Sequence, residues 1–346
     1  MRAVVLREAG CLELTERPVP DCPEDTLLLR LDACAVCELD VQAFKGQNDA
    51  VQPPVVLGHE LVGTVVEVGS SVHGHYDSER VTVAGAVPCG SCRFCRRGQP
   101  TACDRPITVG GTWDGGFAEY MLLPPGAVWQ GVVHKVPDGV PPAAAALTEP
   151  LARCLNVQEM LRVGPGDTVL IIGTGAFQTL NVLLARALGV SRVFTLGEEA
   201  AAAAGRATVR LPGGSAEELR EQLLAETDGR GADVVIVTTG AQKTASEAVT
   251  LAAPRGRIGF AAHLAGAGPA LSVPTDRLRQ RQLTIVGSRG ATPHQHWRAL
   301  SLIAAGAVDA EQIVTARFPL QEAQDAFEAA ERPDARRVLI EPHENH

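Results

Sequence analysis

Cys89, Cys92, Cys95 and Cys103 follow the spacing C-x-x-C-x-x-C-x7-C. Four thiolates this close along a chain can wrap one tetrahedral Zn²⁺, and a shell closed by four sulfurs leaves no position for a substrate. The role this predicts is structural: the metal pins a loop that lacks an apolar core of its own. Four thiolates around a divalent ion leave excess negative charge, and Arg93, Arg96 and Arg97, interleaved with the cysteines, offset it. An iron–sulfur cluster, which takes the same ligand type, and unrelated buried thiols are the alternatives.

Three further segments carry metal-ligating side chains. They are Ala35-Val36-Cys37-Glu38-Leu39-Asp40, Gly58-His59-Glu60 and Leu147-Thr148-Glu149-Pro150. Each is weak alone. Their order along the chain, with the four-cysteine lobe between the second and third, is far more specific. Together with Gly115-Gly116-Phe117-Ala118-Glu119-Tyr120 and Gly164-Pro165-Gly166-Asp167, this order resembles the zinc-containing medium-chain dehydrogenase/reductase family, in its polyol and threonine dehydrogenase branch. The resemblance covers essentially the whole chain. It implies that Cys37, His59 and Glu149 bind a catalytic zinc, that Glu60 approaches the metal and exchanges with water, and that Asp40 orients the histidine. One thiolate, one imidazole and one carboxylate would balance Zn²⁺ and leave a fourth position open, as a Lewis-acid site requires. Cys34, Cys11, Cys22 and Cys154 are read as small packed thiols, and His73 and His75 as solvated surface residues.

The nucleotide-binding signal follows a short apolar run, Val169–Ile172, and reads Gly173-Thr174-Gly175-Ala176-Phe177-Gln178. A strand, a G-x-G turn and a helix form the phosphate-binding context of the Rossmann fold. The third glycine of that fingerprint is replaced by Gln178, which is expected to push the helix away or to point into the phosphate cleft. The acidic residue that usually holds the cofactor ribose is replaced by Gly197, with Glu198 placed to take over one residue late. The resemblance also implies a hydroxyl-and-histidine proton relay, at positions occupied here by Leu39 and Gln42. Leu39 carries no transferable proton, so a relay would need Glu60, Glu38 or water.

The elements that must position these residues fall into two patterns. Residues 1–140 carry short apolar runs broken by turn residues, as in an irregular β domain. From about residue 148, strands and helices alternate, which predicts a parallel sheet wrapped by helices. The fold expected is therefore α/β. A GroES-like irregular β catalytic domain (1–148 and 288–346) would join a Rossmann doubly wound parallel-sheet domain (149–287), with the substrate cleft between them. Apolar residues make up 45% and charged residues 21%, ordinary for a globular chain. A net charge of −9 argues against a nucleic-acid groove or an anionic membrane surface. No leader or membrane-length apolar run is read, so the nine cysteines are expected in a reducing cytoplasm, as ligands or free thiols.

Two functions follow as expectations. The first is hydride transfer between a nicotinamide cofactor, NAD or NADP, and a small hydroxylated substrate. The protein would hold two zincs per chain and form a homodimer or homotetramer. The second is a zinc enzyme without redox chemistry, with Glu60 or Glu38 as base and a degenerate cofactor site. Leu39, Gln42, Gln178 and Gly197 motivate the second.

Overall fold

The computed structural model describes residues 1–197, 208–239, 242–262, 273 and 275–343, the side chains of 242–246 apart. Two compact units emerge: Met1–Ala152 with Ala291–His346, and Arg153–Gly290. The sequence reading drew these boundaries a few residues earlier, at 148 and 287.

The first unit is built mainly from strands. A three-stranded sheet has the order β2-β1-β4, from β1 (Arg2–Glu8), β2 (Cys11–Glu16) and β4 (Val55–Val56). The larger sheet centres on β3 (Leu27–Val36). On one side β3 pairs with β5 (Glu60–Val68), which continues to β6 (Arg80–Val83) and β10 (Val133–Lys135). On the other it pairs with β18 (Arg337–Glu341), which continues to β17 (Val314–Pro319). Strand β3 is flanked on both edges and buried along nearly its whole length, as its run of Leu, Ala and Val allows. Its side chains meet those of β1, β5, β6 and the helix Ala323–Ala330 in one core that includes Leu29, Leu31, Leu61, Phe117, Phe327 and Ile340.

The second unit is a six-stranded parallel sheet. Its strands are β11 (Thr168–Ile172), β12 (Arg192–Leu196), β13 (Thr208–Arg210), β14 (Ala232–Val237), β15 (Ala252–Phe260) and β16 (Thr284–Gly287). The order β13-β12-β11-β14-β15-β16 is the doubly wound Rossmann arrangement. The sheet is coated on both faces: Leu170, Val235 and Ile258 face one apolar cluster, and Val169, Ile171 and Val234 face the other. Strand β11 is buried at all five residues, as expected of a central strand covered by helices on both sides.

Several short elements were not read from the sequence, among them the strands β4, β10 and β17. The short helix Glu38–Phe44 (α1 below), the exposed edge strand β2 and the strand β13 were also not read. The helix that begins at Gln242 ends at Leu251, and Ala252 already pairs with Ala232 in the sheet. No helix among the described residues is long and apolar enough to cross a membrane.

Candidate functional site

The four-cysteine lobe has almost no regular structure beyond two short 3₁₀ turns, Cys95–Arg97 and Pro100–Ala102. Its four sulfurs nevertheless converge within 4.8 Å of one another. Cys92 Sγ lies 3.5 Å from Cys95 Sγ and 4.0 Å from Cys103 Sγ. A tetrahedron with Zn–S bonds of about 2.3 Å has edges of about 3.8 Å, so the donor set fits the ion. Backbone N–H groups already face the sulfurs: Cys89 N–H donates to Cys103 Sγ at 3.3 Å, and Cys95 N–H to Cys92 Sγ at 3.5 Å. N–H groups of Ser91 and Cys92 bring the Cys89 thiol down to about 6, while burial and its sulfur neighbours push Cys95 up to about 12.

The second donor group is deeply buried. Cys37 Sγ, a His59 ring nitrogen and a Glu60 carboxylate oxygen lie within 4.8 Å of one another. Topology explains the meeting. Cys37 follows the end of β3, and Glu60 and Arg337 open the two strands that flank it, with Glu60 opposite Ala35 and Val338 opposite Val36. Cys37 is also the N-cap of α1 (Glu38–Phe44). Its N–H donates to Asp40 Oδ2 at 2.9 Å, and the Gly58 N–H donates to Asp40 Oδ1 at 3.1 Å. Asp40 thus ties the Cys37 segment to the His59 segment, with His59 Nδ1 3.6 Å from Oδ1. Gly58 makes this approach possible: its φ is +94°, and a Cβ there would lie 2.7 Å from Cys34 Sγ.

Arg337 was not anticipated. Its Nε and Nη2 donate to Glu60 Oε2 and Oε1 at 2.8 and 2.9 Å, and Nη2 lies 4.0 Å from Cys37 Sγ. Burial opposes its charge, but Glu60, Cys37 and Asp40 outweigh that and hold the guanidinium above even its ordinary range. A charge opening the apolar strand Arg337-Val338-Leu339-Ile340 is the sequence signal that could have flagged it. His59 has a related imbalance. Burial disfavours its charged form, yet Asp40 and Cys37 push the imidazole well above the ordinary histidine range. Its Nε2 is buried without a hydrogen-bond partner. Anions that draw a proton onto a buried ring whose outer nitrogen is unused make a setting suited to a cation, and the residues present fit Zn²⁺.

Glu149 lies outside that tight trio, where the sequence reading had made it a ligand alongside Cys37 and His59. It is buried in the first turn of the helix Thr148–Met160, whose opening Thr148 donates to the Ala145 carbonyl at 2.7 Å. Its Oε1 and His59 Cδ2 both flank Gly85, at 3.2 and 3.5 Å from where a Cβ would stand. A side chain at Gly85 would crowd both. On its other side, Glu149 Oε2 lies 3.7 Å from Nε2 of His296, which is fully buried and stacks on His134 with ring centroids 5.0 Å apart. Neither histidine was singled out from sequence. His296 shares a helix face with the buried Ala299, Leu300 and Ile303, a spacing that could have marked it.

Other expectations need correction. Glu60 is no free base, because both its oxygens accept from Arg337. Glu38 is exposed and accepts from Gln42 Nε2 at 3.3 Å. His75 is not a solvated residue; its Nδ1 lies 3.3 Å from the buried Glu79. Cys11 is exposed and not packed, whereas Cys34 is fully buried, and burial, then Asp40 and Glu60, push its thiol well up.

In the second unit the turn Gly173–Gly175 leads from β11 into the helix Gly175–Ala187, with Ala176 buried and Phe177 half-buried under the Arg153 guanidinium at 5.4 Å. Gln178 does not point into a cleft. It is fully buried, and its Nε2 donates to the carbonyls of Ile171 and Leu196 at 3.2 and 3.1 Å, bridging the ends of two neighbouring strands. Gly197 has φ +130°, and a Cβ there would stand 1.8 Å from the Gly173 carbonyl oxygen, so this backbone excludes an acidic side chain. Glu198 lies outside the described residues. A cavity of about 420 Å³ opens beside these turns, lined by Gly173, Thr174, Gly197, Arg210, Pro212 and Thr239 among others.

Comparisons with known proteins bear on both units. Residues 23–138 match the alcohol dehydrogenase GroES-like domain, and residues 172–305 the zinc-binding dehydrogenase domain. An L-threonine 3-dehydrogenase of Pyrococcus abyssi is 31% identical over 91% of each chain. A sorbitol dehydrogenase of Halalkalibacterium halodurans is 29% identical over 99% of each. Among solved structures, a protein assigned as a zinc-binding dehydrogenase from Sinorhizobium meliloti 1021, with NADP bound, superposes with TM-score 0.89, at 30% identity and 99% coverage of both chains. With the Rossmann strand order, the GroES-like unit and both donor clusters in place, the chain belongs to the zinc-containing medium-chain dehydrogenase/reductase family and is an enzyme of its alcohol and polyol dehydrogenase type.

Proposed function

We propose that this enzyme transfers a hydride between a nicotinamide cofactor and a small hydroxylated substrate, a polyol, cyclitol or amino alcohol. The observation that carries the reading is the buried donor group Cys37, His59 and Glu60, with its unused His59 Nε2. Zinc bound there would supply Lewis acidity toward a substrate oxygen. Arg337 engages both oxygens of Glu60, so Glu149, beside His59 over Gly85, is taken as the carboxylate ligand with Cys37 and His59, the latter held in place by Asp40. The four-cysteine lobe holds the second, structural zinc. The double engagement of Glu60 also removes one of the two bases, Glu60 or Glu38, that the non-redox alternative could use.

The adenosine end of the cofactor is assigned to the cavity at Gly173 and Gly197. Gly197 carries no carboxylate, and although Glu247 also lines the cavity, Arg210 there has no ion-pair or hydrogen-bond partner among the described residues. This favours the 2′-phosphorylated cofactor. Calorimetric titration of the two-zinc protein with both cofactors, oxidised and reduced, tests both points. NADP(H) should bind more tightly than NAD(H). Arg210→Ala should weaken NADP(H) about tenfold, a loss of about 1.4 kcal/mol, and leave NAD(H) within about twofold. A variant that weakens both equally removes Arg210 from the phosphate site. No binding of any dinucleotide would overturn hydride transfer itself; positive binding leads to a screen of polyols and amino alcohols by nicotinamide absorbance.

A further inference from the structure

The two faces of the Glu149 carboxylate have different surroundings. Oε1 shares the space over Gly85 with the His59 ring. Oε2 faces the fully buried His296, at 3.7 Å from Nε2. Both ring nitrogens of His296 lack a hydrogen-bond partner. Leaving a buried polar atom unused costs about 1–3 kcal/mol, so a histidine kept at such a point calls for a use.

The surroundings hold the His296 ring in one orientation. Thr292 and Gln295 form a reciprocal capping box at the start of the helix Pro293–Ala304, with Thr292 N–H donating to Gln295 Oε1 at 2.8 Å and Gln295 N–H to Thr292 Oγ1 at 3.1 Å. His134, on β10, stacks on His296 with ring centroids 5.0 Å apart at an interplanar angle of 22°. Helix cap, strand and stacked ring together fix the imidazole plane against Glu149.

We propose that His296 is a positioning residue for the metal-binding carboxylate: its Nε2–H donates to Glu149 Oε2 and turns Oε1 toward the His59 side, with His134 as the backing that holds the ring. This rests on the reading of Glu149 as a ligand of the buried zinc. The present separation exceeds an ordinary N–H···O contact by about 0.8 Å, within reach of a small rotation of the carboxylate. A carboxylate with one oxygen on a metal and the other on an imidazole N–H is fixed in direction, and loss of such an outer contact typically weakens metal binding by about 10- to 100-fold.

The test uses the full chain with zinc kept in the four-cysteine lobe and Co²⁺ loaded at the buried site. Its affinity is read by chelator competition, and its geometry by the visible d–d and thiolate charge-transfer bands. Gln and Asn at position 296 separate positioning from packing, because the glutamine amide reaches the place of Nε2 and the asparagine amide does not. His296→Gln should keep Co²⁺ affinity within about threefold of the parent, and His296→Asn should weaken it about 10- to 100-fold with altered d–d bands. Equal behaviour of the two variants, whether both intact or both impaired, overturns the proposal. Glu149→Gln is the control for the underlying reading. If that variant leaves the affinity and bands unchanged, Glu149 is no ligand and both ideas fall. If it impairs them while the two His296 variants match each other, only the role of His296 falls.

Discussion

Replacing Arg337 with Met should cost the enzyme about 3–5 kcal/mol of folding stability when only the four-cysteine zinc is bound. The substitution keeps most of the side-chain volume but strands Glu60, which is fully buried and accepts both its hydrogen bonds from this one guanidinium. An unpaired buried carboxylate must stay charged in an apolar setting or take up a proton, and either choice favours the unfolded chain. Zinc in the buried site offers a second solution, because Glu60 lies in the same donor group as Cys37 and His59. Denaturant unfolding with one and with two zincs bound should therefore show a smaller loss in the two-zinc form. An equal loss in both forms would mean that Glu60 never turns to the metal, and no loss in either would remove the pair from the stability of the core.

The second large effect is expected at Cys103. Its sulfur lies near those of Cys89, Cys92 and Cys95, and the segment they hold has little other structure. Cys103→Ser should lower the zinc content from two ions to one, depress the melting temperature and open residues 88–106 to limited proteolysis. Structural zinc sites of this kind bind with about 10–16 kcal/mol in isolated peptides, so little of the lobe's order should survive. Co²⁺ bands from the Cys37 site should persist in the same variant. Retention of both zincs by Cys103→Ser would mean that three sulfurs suffice. Loss of both would mean that the lobe supports the catalytic centre as well as its own loop.

The donor chemistry was legible before the fold because short-range spacing suffices for it. Four cysteines within fifteen residues can close only a small loop, and the structure brings their sulfurs together. The Rossmann unit was legible for a different reason. Apolar runs such as Val169–Ile172 alternate with amphipathic helices, and a strand buried on both faces has few other ways to satisfy its backbone. Gln178 marks the limit of that reasoning. Counting along the fingerprint found the departure from glycine, but only the packing of two strand ends showed that its amide bridges Ile171 and Leu196.

Sequence alone thus determined the clustered cysteines and the two-part α/β plan, and its resemblance to a known family pointed to the second donor group and to Gly197. The cysteine cluster and the α/β plan follow from local spacing and periodicity, where each residue's neighbours in the chain are its neighbours in space. Tertiary structure decided the rest. Arg337 meets Glu60 across 277 residues because their strands flank β3 on opposite edges. His296 meets Glu149 because a capped helix and the strand carrying His134 close over it. No spacing rule encodes such pairs. They arise only when the sheet register is fixed and buried charges must find partners or stay unsatisfied.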